Sequence, residues 1–180
     1  SRTNAFGFGG RNTTIAFQGY EAVLQPCDGG PSPMSASTPK ESAGSAAPFP
    51  GSLGGAAALL GIGMDAMSPE RVTATMPVTP DHHQPFGRLH GGVSVVLAES
   101  AASVGGHLAA PDGYTAVGAE INANHVRAVR EGHLTATATP LHTGRSTQVW
   151  AIKIRDADDR LVCASRCTLA VVPVAPTPDA

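Results

Sequence analysis

Glu99 and Ser103 stand four residues apart in a stretch that otherwise reads as apolar. From Gly91 to Ala110 the only acidic or basic side chains are Glu99 and His107. A spacing of four puts Glu99 and Ser103 on one face of a helix. A carboxylate is rarely buried in such company unless something pairs with it or uses it. Glu99 is therefore a candidate nucleophile or general base on water, with Ser103 as its hydrogen-bonding partner. The pattern alone also allows a Glu99 satisfied by a neighbouring chain or exposed at an interface.

Just upstream runs Gln84-Pro85-Phe86-Gly87-Arg88-Leu89-His90-Gly91-Gly92. His90-Gly91-Gly92 opens the helix, whose first N–H groups lack intrahelical partners. With the helix dipole behind them, they suit a carbonyl oxygen that gains negative charge. Glycine lets a substrate approach the backbone closely, although the pair equally suits a tight entry into the helix. Gln84 offers amide donors that can reach a carbonyl held at the helix start. His90 either orients the loop or binds substrate. The seven histidines show no His-x-x-x-His spacing, so no metal and no bound cofactor are expected.

The elements that must position these groups are legible as an α+β arrangement. A short Ala-rich helix is expected at 52–60, then strands at about 61–67 and 71–78. Val72, Ala74 and Met76 alternate there with Arg71, Thr73 and Thr75. Pro77 and Pro80 are expected to end that run, and a loop over 79–89 leads into the helix at 91–109. Pro111-Asp112-Gly113 stops the helix. Four strands follow, at about 114–125, 132–143, 147–157 and 160–172, joined by short turns. One helix among such strands predicts an antiparallel sheet wrapped around it. Its many Val, Leu and Ala positions predict burial nearly all round.

Composition excludes several classes. A net charge of −2 without clustered Lys and Arg argues against a nucleic-acid or anionic-membrane surface. No run of about 18 apolar residues offers a spanning helix, and no signal peptide is visible. Three cysteines (Cys27, Cys163, Cys167) form no metal pattern and fit a reducing, cytoplasmic setting. Cys163 and Cys167 are expected on one side of a strand as buried free thiols. Residues 28–57 are rich in Pro, Gly, Ser and Ala, a linker composition. The chain is accordingly divided into a head (1–20), a linker (21–51), a body (52–173) and a tail (174–180). It opens on Ser1, and Met34 is a plausible start for the body alone.

Two resemblances follow from these residues. The head, with Asn4-Ala5-Phe6-Gly7-Phe8-Gly9-Gly10-Arg11-Asn12, resembles the C-terminal end of β-ketoacyl synthases. Without the catalytic motifs of that family it is expected to be an inactive remnant. The body, over about 53–172, resembles the hotdog-fold thioesterases of the PaaI-like group. Carrying the likeness are the Gln-Pro-Phe-Gly-x-Leu-His-Gly-Gly loop, the Ala98-Glu99-Ser100 helix centre and the His142-Thr143-Gly144-Arg145 turn. Val95-Val96-Leu97, Glu120-Ile121-Asn122-Ala123-Asn124-His125-Val126-Arg127 and Gln148-Val149-Trp150 bring it nearest to two branches of the group. These are the 1,4-dihydroxy-2-naphthoyl-CoA hydrolases of menaquinone synthesis and the proofreading thioesterases of enterobactin synthesis.

The resemblance implies a role for each matching residue. Glu99 takes the place of the catalytic carboxylate, and Gly91 that of the N–H donor polarising the thioester carbonyl. Gln84 and His90 match loop residues that position the thioester, and Ser103 a residue assisting the water or the carboxylate. Ser146 and Thr147 match positions contacting the CoA nucleotide in some members. Phe86, Gly92 and Arg127 are further substrate-binding candidates, Phe86 for the acyl group and Arg127 for CoA phosphate. The substrate implied is an acyl-CoA or acyl-carrier-protein thioester. The assembly implied is a homodimer or homotetramer, with Glu99 of one subunit meeting Gln84 and His90 of its partner. Two competing readings are an acyl-thioester hydratase on the same fold and a non-catalytic acyl-binding module.

Overall fold

The structure is a computed structural model that describes residues 53–174, all within one compact unit. The expected head, the linker, Cys27 and the tail beyond residue 174 lie outside the described residues.

A short helix, α1 (Gly55–Leu59), leads into β1 (Gly63–Met67) and β2 (Val72–Val78). A 3-10 turn (Pro80–His82) and a small hairpin, β3 (His83–Gln84) with β4 (Arg88–Leu89), then precede the long helix α2 (Gly91–Leu108). Four strands complete the chain: β5 (Tyr114–His125), β6 (Gly132–Thr143), β7 (Thr147–Asp156) and β8 (Leu161–Pro173). Six strands make one antiparallel sheet in the order β1-β2-β6-β7-β8-β5, and α2 lies across it. This is the expected sheet around one helix. The stretch 79–89 differs from the plain loop that was predicted, because the 3-10 turn and the hairpin organise it.

Alternation builds the core. Val72, Ala74, Met76 and Val78 of β2 face inward, as do Leu134, Ala136 and Ala138 of β6. Trp150, Ile152 and Ile154 of β7 and Cys163, Cys167 and Leu169 of β8 complete the inner face. Pro77 does not end β2. Opposite β2, β1 begins at Gly63, which pairs with Thr75, so Pro77 lies beyond its reach. The N–H that proline lacks therefore has no ladder partner to lose on that side.

Small residues let α2 approach the sheet. A Cβ on Gly105 would lie 2.5 Å from the Trp150 ring, and one on Gly106 would lie 2.8 Å from Ala116. Gln148, buried beneath, donates from Nε2 to the Gly106 carbonyl at 3.1 Å and accepts from Trp150 Nε1 at 2.9 Å.

The helix is not buried on all sides as its apolar run predicts. Leu97, Ala98, Ala101, Ala102 and Val104 are sealed against the sheet. Val96, Glu99, Ser100, Ser103 and His107, on the opposite side, are only half-buried. A single sheet covers one face of a helix and leaves the other to a partner or solvent. Cys163 and Cys167 are free and buried, as expected. Burial pushes the Cys163 thiol up. Burial, with the charges of Glu99 and Glu120 adding to it, pushes Cys167 up to about 12. Both are inert thiols at neutral pH.

Candidate active site

The half-buried face of α2 forms one wall of a cavity of about 730 Å³. Val96, Glu99, Ser103, Val104 and His107 line it from the helix, and Thr115 lines it from β5. The segment 53–57 covers another side. Glu99, Ser103 and His107 follow one another at four-residue steps, so the helix presents them in a row. His107 Nδ1 lies 3.0 Å from the Thr115 hydroxyl. Glu99 is the single acidic residue among those lining the cavity.

Glu99 reaches across to β5. Its carboxylate rests against Gly118, where Oε1 takes the space that a side-chain Cβ would fill. Gly118 adjoins an irregularity in the β5–β8 register, between Gly118 and Glu120.

The N-terminus of α2 faces a different cleft, of about 360 Å³, lined by Gln84, Arg88, Gly91, Ser94, His125 and Arg127 among others. His90 is the N-cap of the helix. Its Nδ1 accepts from the Gly92 N–H at 2.9 Å, and its carbonyl accepts from Val93 and Ser94. Within one chain His90 therefore holds the start of α2 and engages the Gly92 amide. Among the described residues, the Gly91 N–H has no acceptor.

Gln84 sits on the hairpin whose turn it closes. Its carbonyl accepts from the Gly87 N–H at 3.0 Å, and its side-chain Oε1 accepts from the Phe86 N–H. With Oε1 engaged, Nε2 is the atom Gln84 can present to a ligand. Gly87 makes this turn possible at φ +68.

The remaining expected residues scatter. Arg127 lines the Gly91 cleft. Phe86 is 80% exposed at the hairpin tip and lines neither cavity. Ser146 and Thr147 are exposed at the β6–β7 turn, where their carbonyls accept from Val171 and Gly144. Gly92 is exposed beside the His90 ring.

The structure therefore divides the expected set in two. Glu99 and Ser103 share one cavity, while Gln84, Gly91 and Arg127 share another. Glu99 stands eight positions after Gly91 on α2, a rise of about 12 Å.

Two neighbours escaped the sequence reading. The His125 ring lies so close to Gly91 that a Cβ there would sit 2.9 Å from Nε2. The packing of the end of β5 against the start of α2, which sequence spacing does not reveal, brings them together. His107 was legible in principle, because it continues the Glu99–Ser103 step of four. Among the described residues, no group of His, Cys, Asp or Glu is placed to hold a metal ion. No helix there is long and apolar enough to cross a membrane.

Comparison with known proteins agrees with this architecture. Residues 86–163 match the Thioesterase superfamily. The chain is 52% identical over 112 residues to a 1,4-dihydroxy-2-naphthoyl-CoA hydrolase of Listeria monocytogenes, covering 61% of this chain and 91% of that protein. It is 50% identical over 113 residues to the Escherichia coli protein of the same name, covering 63% and 83%. A proofreading thioesterase EntH from Cronobacter turicensis is 46% identical over 113 residues, covering 63% and 82%. The crystal structure of a Haemophilus influenzae thioesterase superposes with a TM-score of 0.64 at 48% identity, covering 69% of this chain and 87% of that one. With relatives this similar over most of their length, and with the sheet-and-helix fold in common, the chain belongs to the hotdog-fold thioesterase superfamily and is a thioester hydrolase.

Proposed function

We propose that the chain hydrolyses an aromatic or related acyl-CoA thioester of the 1,4-dihydroxy-2-naphthoyl-CoA kind, with Glu99 as nucleophile or general base. The observation that carries this reading is the placement of Glu99. It is a single carboxylate, with Ser103 one turn away, on the wall of a cavity large enough for a ring-bearing acyl group. Leu53, Val96, Val104 and three alanines give the wall its apolar part, with Ser100, Ser103, His107 and Thr115 adding polar groups. Relatives named 1,4-dihydroxy-2-naphthoyl-CoA hydrolase, at 50–52% identity, support the choice of acyl group.

Glu99 either attacks the thioester carbon or takes a proton from the attacking water. The carbonyl oxygen then needs a donor within hydrogen-bond reach, and the Gly91 N–H is the group suited to it. Within one chain that donor is too far along α2 to share a carbonyl with Glu99. Two copies of the chain resolve the conflict, with Glu99 of one subunit facing Gly91 and Gln84 of the other. β5 supports that pairing, because this 12-residue strand closes one side of the sheet as an edge. Arg127, which lines the Gly91 cleft, offers a guanidinium to CoA phosphate on this reading.

Free-thiol release from a panel of aryl- and alkyl-CoA esters, alongside the same acyl groups on a carrier protein, tests the substrate reading. Preference for aryl-CoA is expected. A preference for the carrier-bound esters would move the chain to the proofreading reading that the EntH relative suggests. No thiol release from any of them would overturn the proposal.

The shared site has its own test. Glu99→Gln and Gln84→Ala chains are each expected to be poorly active alone. Mixed one to one and allowed to exchange subunits, they should recover about a quarter of wild-type activity, because half the dimers then hold one intact site of two. A mixture no better than its two components would place each site within a single chain.

A further inference from the structure

We propose that Gly118 is a positioning residue for Glu99, its missing side chain being the seat that fixes the carboxylate. The inference rests on the reading of Glu99 as the catalytic carboxylate and extends it to a residue of β5 that touches no substrate.

Gly118 has a backbone conformation open to any residue, since it is not among the glycines with positive φ. Its freedom is not needed for a turn. Nor is it needed for packing against the core. The three atoms nearest to where its Cβ would stand are Oε1, Cδ and Cγ, all of Glu99, with Cδ at 3.3 Å and Cγ at 3.8 Å. The space nearest to a Cβ at position 118 is thus taken by the Glu99 side chain and not by the core. Gly105 and Gly106 differ, because their neighbours are the core side chains Trp150, Leu169 and Ala116.

The consequence is asymmetric. Glu99 enters with the flexible end of its side chain, so a methyl group on residue 118 is accommodated by rotating Glu99 away rather than by moving the sheet. The fold survives, but the carboxylate leaves its place by about an ångström or more, a misplacement that is able to cost about 10²-fold in rate.

Gly118→Ala is expected to lower kcat about 10- to 100-fold while KM and the melting temperature stay near wild type. The decisive readout is a double-mutant cycle with Glu99→Gln. In the Glu99→Gln background, Gly118→Ala should leave the residual rate within about 2-fold, because the group it acts through is already disabled. In the Glu99→Asp background the penalty of Gly118→Ala should shrink, because the shorter acid draws back from the added methyl group. If Gly118→Ala fails to fold alone, Glu99→Asp/Gly118→Ala against Glu99→Asp carries the same test.

Unchanged kcat in Gly118→Ala, with Glu99→Gln inactive, overturns this inference and leaves the function standing. An equal loss in the wild-type and Glu99→Gln backgrounds overturns it too, since a merely structural effect does that. Wild-type turnover by Glu99→Gln removes the catalytic reading itself, and the seat with it.

Discussion

Glu99→Gln is expected to lower kcat for thioester hydrolysis by about 10²–10⁴-fold, with KM nearly unchanged, in steady-state thiol release. Gln keeps the length and shape of Glu, so the fit against Gly118 and the packing of α2 are preserved. What disappears is the negative charge and the basic oxygen. No second carboxylate lines the cavity to take over. The size of the loss follows from what remains. On the proposed mechanism the donors at the Gly91 cleft keep polarising the carbonyl, and binding of the CoA portion does not pass through Glu99. A group that acts in the transition state and not in ground-state binding shows itself as a loss in kcat and kcat/KM together. Two further outcomes separate the competing readings. An acyl-binding module would bind acyl-CoA equally well in both proteins and release no thiol from either. A hydratase would turn over an enoyl-CoA without freeing its thiol.

Much of this arrangement was legible in the residues. The period-two run at 72–78 and the capped apolar run from Gly91 name a strand and a helix without help. So does the step of four from Glu99 to Ser103. What stayed hidden depends on contacts distant in sequence. Gly118 looks like one more glycine in a strand until Glu99 is seen lying on it. His125 reads as an isolated histidine until β5 brings it against Gly91. The hairpin at 83–89 is too short for periodicity to announce; its signal is Pro85 and Gly87 around a four-residue turn. The expectation of a helix buried all round failed for a physical reason. A run of Val and Ala records that both faces avoid water, but it does not say which face meets this chain's own sheet. In the structure only the Leu97–Ala101–Val104 side does, and the Glu99 side borders a cavity. The apolar run and the divided site are both what the proposed pairing of two copies expects, with the second face of α2 at the interface between them.

Gln148→Leu is expected to destabilise the fold by about 2–4 kcal/mol, the sum of two buried groups left unmatched at about 1–3 kcal/mol each, less what the apolar replacement returns. The last carbonyls of a helix lack intrahelical donors. At this end of α2, Ala109 donates to Gly105 and Ala110 to His107, while the Gly106 carbonyl is met by Gln148 Nε2. The same side chain accepts from Trp150, which is fully buried. Leu fills nearly the same volume, so packing is largely kept and the cost isolates the hydrogen bonds. Their geometry is what places Gly105 against the ring of Trp150 and Gly106 against Leu169 and Ala116, and so fixes where along the sheet the helix stands. Since Glu99 lies less than two turns before Gly105, a helix held loosely at this end also blurs the catalytic face. Urea unfolding at equilibrium reads the stability, and thiol release at a temperature well below the transition reads the face. A stability loss within about 0.5 kcal/mol, the range of an ordinary surface change, would mean that water replaces Gln148 at no cost. The pair Gly106–Trp150 would then not be what anchors the helix.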